Sequence, residues 1–85
     1  MKVKMILKRP VASEKAVLEM EKNVVYFIVD KNARKDEIKD EFEEIYGVKV
    51  EKVNTILTFK GEKKAMVRLS DKYKAEDIAT KLGIV

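Results

Sequence analysis

The amino-acid sequence predicts an α+β fold in which helices pack on a four-stranded, mostly antiparallel sheet. Strand-like and helix-like segments alternate along the chain, and a short connection at Lys60 and Gly61 joins the last two strands into a hairpin. The length of 85 residues leaves room for one core. The predicted order is β-α-β-α-β-β-α. No repeat, linker or low-complexity segment interrupts it, so we expect residues 1–85 to form a single layered domain.

The first third of the chain predicts a strand and then a helix. Apolar residues alternate with lysines at the start, at Val3, Met5 and Leu7. This alternation is typical of a half-buried strand, and Pro10 closes it because proline cannot donate to a strand ladder. Ser13 then offers an N-cap, so a helix is expected over residues 13–22.

The middle of the chain predicts a central strand and an amphipathic helix. Val24–Val29 is apolar at almost every position, which indicates a strand covered on both faces. Ile38, Phe42 and Ile45 follow at i, i+4 and i+7, the spacing of one buried helical face. Gly47 comes just after the last turn and predicts a left-handed cap.

The last third predicts a bent strand, a hairpin and a short helix. The phase of the apolar alternation changes between Val50 and Val53, which indicates a bulge near Glu51 and Lys52. The second hairpin strand is expected over Lys63–Leu69, and the final helix over about residues 75–82.

Composition argues against catalysis. The chain has no cysteine and no histidine, so disulfides, thiolate chemistry, histidine-ligated metals and histidine general bases are excluded. Ser13 and Ser70 have no imidazole to activate them. No enzyme activity and no cofactor are therefore predicted. No apolar run reaches the roughly 18 residues of a membrane span, and no signal peptide is recognisable, so the expected location is cytoplasmic.

Charge is distributed unevenly along the chain. The net charge is +4, from 19 basic and 15 acidic residues. Residues 49–68 hold six basic residues and two acids, whereas residues 30–44 hold four basic residues and seven acids. Those acids are spread over nearly three helical turns, so they cannot converge on one metal ion and are better explained as a solvated face. The basic segments instead favour a polyanionic partner.

The hairpin carries the strongest candidate for that partner. Its basic and polar residues are Lys52, Asn54, Thr55, Thr58, Lys60, Lys63, Lys64 and Arg68. Cations of this kind neutralise phosphates, and the polar side chains can bond phosphate or ribose oxygens. A solvated edge hairpin protected from aggregation by lysines is the alternative. Because Phe59 is the only aromatic residue among them, contact with a folded RNA is favoured over stacking along a single strand.

Three further cations, Arg34, Lys35 and Lys39, lie in or beside the second helix. They either extend the same cationic surface or form local pairs with acids such as Asp36 and Glu43. The sequence alone leaves these two interpretations equal.

Several motifs occur in the order found in one known family. They are Lys8-Arg9-Pro10, Ser13-Glu14-Lys15-Ala16, Lys35 with Glu37-Ile38-Lys39, Val48 to Val50, Val53-Asn54-Thr55, Gly61-Glu62-Lys63-Lys64-Ala65 and Arg68-Leu69. Together they span nearly the whole chain. The sequence thus resembles large-subunit ribosomal protein family twenty-three, in its short archaeal form.

The resemblance implies a structural protein that binds large-subunit rRNA at the rim of the polypeptide exit tunnel. It implies docking of signal recognition particle and nascent-chain chaperones, beside the small ribosomal protein of family twenty-nine. The docking residues implied are Glu14, with Ala12 and Ser13 beside it. The expected rRNA-binding set is Lys8, Arg9, Lys15, Arg34, Lys35, Lys39, Lys52, Asn54, Thr55, Thr58, Lys60, Lys63, Lys64 and Arg68.

Two positions depart from the family pattern. Arg34 stands where the family usually has serine or threonine, which predicts a loss of about 1 kcal/mol of helix capping. Only three residues join Phe59 to Lys63, whereas bacterial members carry a long extension that enters the tunnel. We therefore expect the hairpin to end at the rim, with factor docking at the opposite end around Glu14.

Two simpler interpretations stay open. Glu14 in a first helical turn interacts favourably with the helix dipole, by about 0.3 to 1 kcal/mol, whether or not a factor docks there. The whole chain could also be a free-standing α/β protein-interaction module whose lysines serve only solubility.

Overall fold

A computed structural model describes residues 6–83 and confirms the α+β fold. The strands are β1 (Leu7–Pro10), β2 (Val24–Val29), β3 (Val50–Leu57) and β4 (Lys63–Leu69). They form one sheet in the order β1-β2-β4-β3, and each neighbouring pair is antiparallel. The helices are α1 (Glu14–Glu19), continued by a 3₁₀ turn (Met20–Lys22), α2 (Lys35–Tyr46) and α3 (Ala75–Leu82). None of the helices within residues 6–83 has the length and apolar character needed to cross a bilayer.

The alternating pattern predicted a first strand, and the structure describes its last part as β1 (Leu7–Pro10). Val3 and Met5, which carried that prediction, fall outside the described residues, and β1 begins at Leu7. Pro10 is the last residue of the strand, as predicted. A proline is tolerated there because β1 is an edge strand, where a backbone donor can be missing without breaking the ladder.

The core lies between one face of the sheet and the helices α2 and α3. The central strands contribute Val25 and Val67, and α2 contributes Ile38 and Phe42, all of them almost fully buried. Phe42 meets Phe27 of β2 edge to face, with ring centroids 5.6 Å apart and an angle of 83° between the planes. This arrangement is among those that aromatic pairs prefer, so it fixes the helix on the sheet.

The prediction that Ile45 belongs to the buried face of α2 is wrong. Its side chain is 56% exposed, and Tyr46 packs against the core instead. The Tyr46 ring lies 4.7 Å from that of Phe42, and burial raises the pKa of its hydroxyl. Both residues fit the helical period after Phe42, at i+3 and i+4, so periodicity alone could not choose between them.

The predicted bulge and the predicted helix cap are confirmed. The pairing of β3 with β4 shifts register between Val50 and Lys52. Gly47 caps α2 in the left-handed conformation, with φ of 65°.

Two glutamates of α2 bond to the backbone of both edge strands. The Glu41 carboxylate accepts a hydrogen bond from the N–H of Leu7 in β1, at 2.8 Å. The Glu43 carboxylate accepts from the N–H of Val50 in β3, at 2.7 Å. Residues two apart project about 200° apart around a helix, so the two side chains reach opposite edges of the sheet. These acids were expected to be part of a solvated face, and for Glu41 and Glu43 that expectation is wrong.

Asn23 joins the start of β2 to the loop between β4 and α3. Its side-chain amide donates to the carbonyls of Leu69, Ser70 and Tyr73, the shortest of these bonds being 2.7 Å. Its side-chain oxygen accepts from the N–H of Ala75, the first residue of α3, at 2.8 Å. The backbone of Asn23 is left-handed, with φ of 66°, a conformation that asparagine tolerates better than most residues.

The sheet face turned away from α2 and α3 is only partly covered. We call it the outer face, and the face against the main core the inner face. Val24 and Ile28 of β2 and Ala16 of α1 are buried, yet they lie outside the main core cluster. Helix α1 therefore covers part of the outer face near β2, and the rest of that face is open on β4 and β3.

Candidate nucleic-acid interface

Strand register decides which hairpin side chains share the outer face. Directly opposite residues of paired strands lie on the same face of a sheet. Lys52 pairs with Arg68, Asn54 with Met66, and Ile56 with Lys64. Along each strand these residues alternate with the buried residues Val53, Ala65 and Val67, so they lie on the opposite face of the sheet. The outer face thus carries the side chains of Tyr26, Lys52, Asn54, Ile56, Lys64, Met66 and Arg68. Its cations lie on two neighbouring strands.

Arg68, near the end of β4, makes an exposed ion pair. The Arg68 Nε lies 3.4 Å from a carboxylate oxygen of Glu51, and both side chains are about half exposed. Exposed pairs of this kind contribute about 0 to 1 kcal/mol to stability. The guanidinium can therefore exchange Glu51 for a phosphate at little cost to the fold.

Lys64 lies nearer the centre of the outer face. Its ammonium group is 5.4 Å from the centre of the Tyr26 ring, within cation–π range. Lys15 of α1 borders the same small depression of about 100 Å³, together with Tyr26, Ile56 and Lys64. The structure therefore brings Lys15 and Lys64 together, two residues far apart in the sequence.

The grouping of Lys63 and Thr55 with this cationic face is wrong. Thr55 pairs with buried Ala65, and Lys63 lies opposite Leu57 and, on the other side, Val29, so both belong to the inner face. The Lys63 ammonium donates to the carbonyls of Ala33 at 2.9 Å and Lys31 at 3.2 Å. It thereby holds the loop that precedes α2. The strand alternation that places Ala65 inward also places Lys63 inward.

The cations of the second helix form a separate group. Arg34, Lys35 and Lys39 are exposed, but α2 packs on the inner face of the sheet. The sheet thus separates α2 from the cations of the outer face. The N–H of Arg34 donates to the Glu37 carboxylate at 3.0 Å, which is one half of a capping box. Arginine has no acceptor to supply the other half, so the expected capping loss is offset only in part.

A compact turn fixes the tip of the hairpin. The N–H of Thr58 donates to the Glu62 carbonyl at 2.7 Å, and the Thr58 hydroxyl accepts from the Glu62 N–H at 3.2 Å. Gly61 donates to the Thr58 carbonyl and has a φ of 82°, which a residue with a Cβ rarely adopts. Phe59 and Lys60 consequently project from a fixed turn, and Phe59 is 99% exposed.

Glu62 connects the hairpin to the first strand. Its carboxylate lies 2.8 Å from the Arg9 guanidinium. That hydrogen bond and the positive charges of Arg9, Lys60 and Lys8 hold the pKa of the Glu62 carboxyl below its usual range. The structure thus brings together Arg9, predicted from the first motif, and Lys60, predicted from the basic hairpin.

The residues predicted for factor docking do not lie at the far end of the molecule from the hairpin. Ala12, Ser13 and Glu14 are exposed, and the Ser13 hydroxyl caps α1 by accepting from the Ala16 N–H at 3.2 Å. Ala12, however, lines the same groove as Phe59 and Lys60, a cleft of about 390 Å³. The expectation of opposite ends is wrong because the segment that follows β1 lines depressions together with residues of the hairpin.

Acidic side chains offer no metal centre in the described part of the chain. Within residues 6–83, no three aspartate or glutamate side chains are grouped closely enough to hold an ion.

A sheet buried on one face and cationic on the other defines a class of small proteins suited to an extended polyanion. The sequence profile of the family described as Ribosomal protein L23 matches residues 5–78. The large ribosomal subunit protein uL23 of Pyrobaculum aerophilum is 48% identical over 81 residues, covering 94% of this chain and 100% of the relative. The chain belongs to the ribosomal protein L23 family.

Family membership confirms the resemblance found in the sequence, including its archaeal type. The protein is a structural constituent of the large ribosomal subunit, associated with that subunit and its rRNA, and it is not an enzyme. The predicted location in the cytoplasmic ribosome is confirmed on the same ground.

Proposed function

We propose that the chain anchors to large-subunit rRNA mainly through the outer face of its sheet, at the rim of the polypeptide exit tunnel. The observation that supports this most directly is the position of Lys52, Lys64 and Arg68 on two adjacent strands, facing away from the core. Neutralised phosphates supply much of the affinity between proteins and nucleic acids. Lys15 adds a fourth cation from α1 at the border of the same face.

Asn54 also lies on the outer face, and the remaining predicted contacts fall into three groups. Lys8, Arg9, Thr58 and Lys60 lie around the hairpin tip and β1, and we include them in the RNA surface. Arg34, Lys35 and Lys39 lie on the helix layer, where they meet RNA only if it wraps around the sheet edge. Thr55 and Lys63 turn inward, so their RNA contacts would require a nucleotide at the hairpin end of the inner face.

A salt series on rRNA binding tests the outer-face anchor. The apparent affinity of the full chain for a transcript of the large-subunit rRNA should fall steeply as salt is raised. The double variant Lys52→Ala, Lys64→Ala should lower the slope of log affinity against log salt by about 1.4 to 1.8. The matched control, Lys35→Ala with Lys39→Ala, removes the same charge from α2 and should change the slope less.

The outcome of this pair of variants decides the proposal. Equal slopes for both would mean that only net charge matters and would contradict an outer-face anchor. A flat salt response of the unaltered chain would instead favour a protein-interaction module.

We further propose that residues 12–14 contribute to the platform where signal recognition particle and nascent-chain chaperones dock, beside the ribosomal protein of family twenty-nine. Exposure of Ala12, Ser13 and Glu14 at the start of α1 supports this. Glu14→Lys should weaken factor binding to ribosomes and leave rRNA binding nearly intact. Glu21→Lys makes the same charge change in the following 3₁₀ turn and should have little effect. Unchanged factor binding by the Glu14 variant would overturn the assignment.

A further inference from the structure

Phe59 is an aromatic side chain with no role in the core. It is 99% exposed at the tip of a turn that internal hydrogen bonds hold in place. One exposed apolar residue needs no explanation by itself, so the case for a partner depends on what surrounds the ring. The chemistry around the ring indicates which partner.

The ring borders a groove with a mixed lining. Apolar side chains line part of this cleft of about 390 Å³, and Arg9, Lys60 and Lys64 supply three cations. Its one carboxylate, Glu62, is already bonded to Arg9. That volume is near the lower end of the range for small-ligand sites, about 300 to 1,000 Å³. The groove therefore suits one nucleoside-sized group better than a row of stacked bases.

We propose that this groove takes a single unstacked nucleotide of RNA, with its base on the Phe59 ring and its phosphate near Lys60 or Arg9. The inference rests on the proposed function and names one contact within it. Proteins that recognise folded RNA often stack a base from a loop or bulge on an aromatic side chain. Because Phe59 is the one aromatic residue at the hairpin tip, one base is the expected occupant.

The cations favour RNA over a protein side chain as the occupant. An apolar side chain of a partner would fill the groove without meeting Lys60 or Lys64, the two cations there that Glu62 does not pair. A nucleotide satisfies both features, since its base is apolar on its faces and its phosphate is negative.

Fluorescence provides a direct test because the chain contains no tryptophan. Phe59→Trp places the variant's single tryptophan at the groove, where it can be excited apart from the three tyrosines. Titration with the large-subunit rRNA transcript should quench its emission if a base stacks on it. Leu57→Trp is the matched control: Leu57 is 68% exposed in the same hairpin but does not line the groove. Quenching no stronger at position 59 than at position 57 would overturn the proposal.

Affinity measurements provide the second test. Phe59→Leu should weaken RNA binding by about 5- to 150-fold, the effect of losing one base–aromatic stack, while Phe59→Tyr should retain it. The salt slope should not change in either variant, because a phenyl ring releases no counterions. Lys60→Ala should lower that slope.

The outcomes separate this inference from the proposed function. If the unaltered chain binds RNA with a steep salt slope and Phe59→Leu binds equally well, the nucleotide site is wrong and the outer-face anchor stands. If the unaltered chain does not bind RNA, both fail. If Phe59→Leu impairs only assembly with ribosomal proteins, the groove takes a protein chain and the nucleotide site is again wrong.

Discussion

The inner and outer faces of the sheet use charged and polar side chains in different ways. On the inner side, Glu41, Glu43 and Lys63 bond to backbone groups of other segments of the chain. On the outer face, Lys64 rests over a ring and Arg68 makes an exposed ion pair. The first kind of contact holds the fold, whereas the second leaves the charge available to a partner. Charge alone, read from the sequence, does not distinguish the two.

The largest effect on stability is expected at Asn23, because its side-chain hydrogen bonds all connect segments of the fold. Asn23→Ala removes bonds to three carbonyls and one N–H and leaves a residue with a Cβ at positive φ. We expect it to lower the free energy of unfolding by about 2 to 4 kcal/mol, measured by chemical denaturation. Asn23→Gly removes the backbone strain but does not restore the lost hydrogen bonds. Its free energy of unfolding should therefore be about 1 kcal/mol higher than that of the alanine variant. Equal stability of the alanine variant and the unaltered chain would contradict the role given to this amide.

A smaller loss is expected when one edge strand is released from α2. Glu43→Ala leaves the Val50 N–H without its carboxylate and should cost about 1 to 3 kcal/mol in thermal or chemical unfolding. Glu43→Gln keeps an acceptor oxygen and should cost less. Glu44→Ala, an exposed neighbour on the same helix, should stay within about 0.5 kcal/mol. If Glu44→Ala were as damaging as Glu43→Ala, helix charge rather than the edge bond would be responsible.

Adjacent lysines on β4 offer the sharpest version of the comparison. Lys63→Met should lower unfolding free energy by about 1 to 2 kcal/mol, because two carbonyls before α2 lose their donor. Lys64→Met should change stability by less than about 0.5 kcal/mol but lower the salt slope of rRNA binding by about 0.7 to 0.9. Denaturation and binding should be measured on both variants. If the two variants changed stability and the salt slope equally, the proposed difference between the inner and outer faces would be contradicted.

The smallest effect concerns the titration of Glu62. Its pKa lies below the ordinary glutamate value of 4.5 because of its bond to Arg9, followed by nearby positive charges. A carboxyl with a lowered pKa contributes stability above the unfolded pKa and loses it as pH falls through the folded one. Carboxyl NMR from pH 2 to 6 should show this low midpoint, and Arg9→Gln should raise it toward 4.5. An unmoved midpoint in that variant would show that Arg9 is not the cause.

Local patterns predicted those parts of the fold that depend on nearby residues. The apolar run of β2, the left-handed cap at Gly47 and the bulge before Val53 each have a signal within a few residues, and all are confirmed. The alternation of residues along β4 also indicated that Lys63 lies on the inner face, although its charge favoured the outer face. Ile45 and Tyr46 could not be separated, because the choice depends on where the sheet lies.

Long-range contacts explain what could not be predicted. The Asn23 amide bonds to residues 46 to 52 positions away, and no local pattern reports such a meeting. The groove beside Phe59 likewise forms from β1 and the hairpin, which are distant in sequence. The candidate RNA-binding residues could be identified from the sequence. Their division into an outer face, a helix layer and a hairpin tip required the structure.

The two bonds from α2 to the edge strands also affect how the chain behaves before it joins a ribosome. An unpaired edge N–H is a template for another strand, and so for aggregation. Glu41 and Glu43 occupy one such donor at each edge, near diagonally opposite corners of the sheet. A neighbouring chain would have to displace a carboxylate before pairing at either point. The helix therefore limits strand addition during the interval in which a newly made ribosomal protein has no RNA to bind.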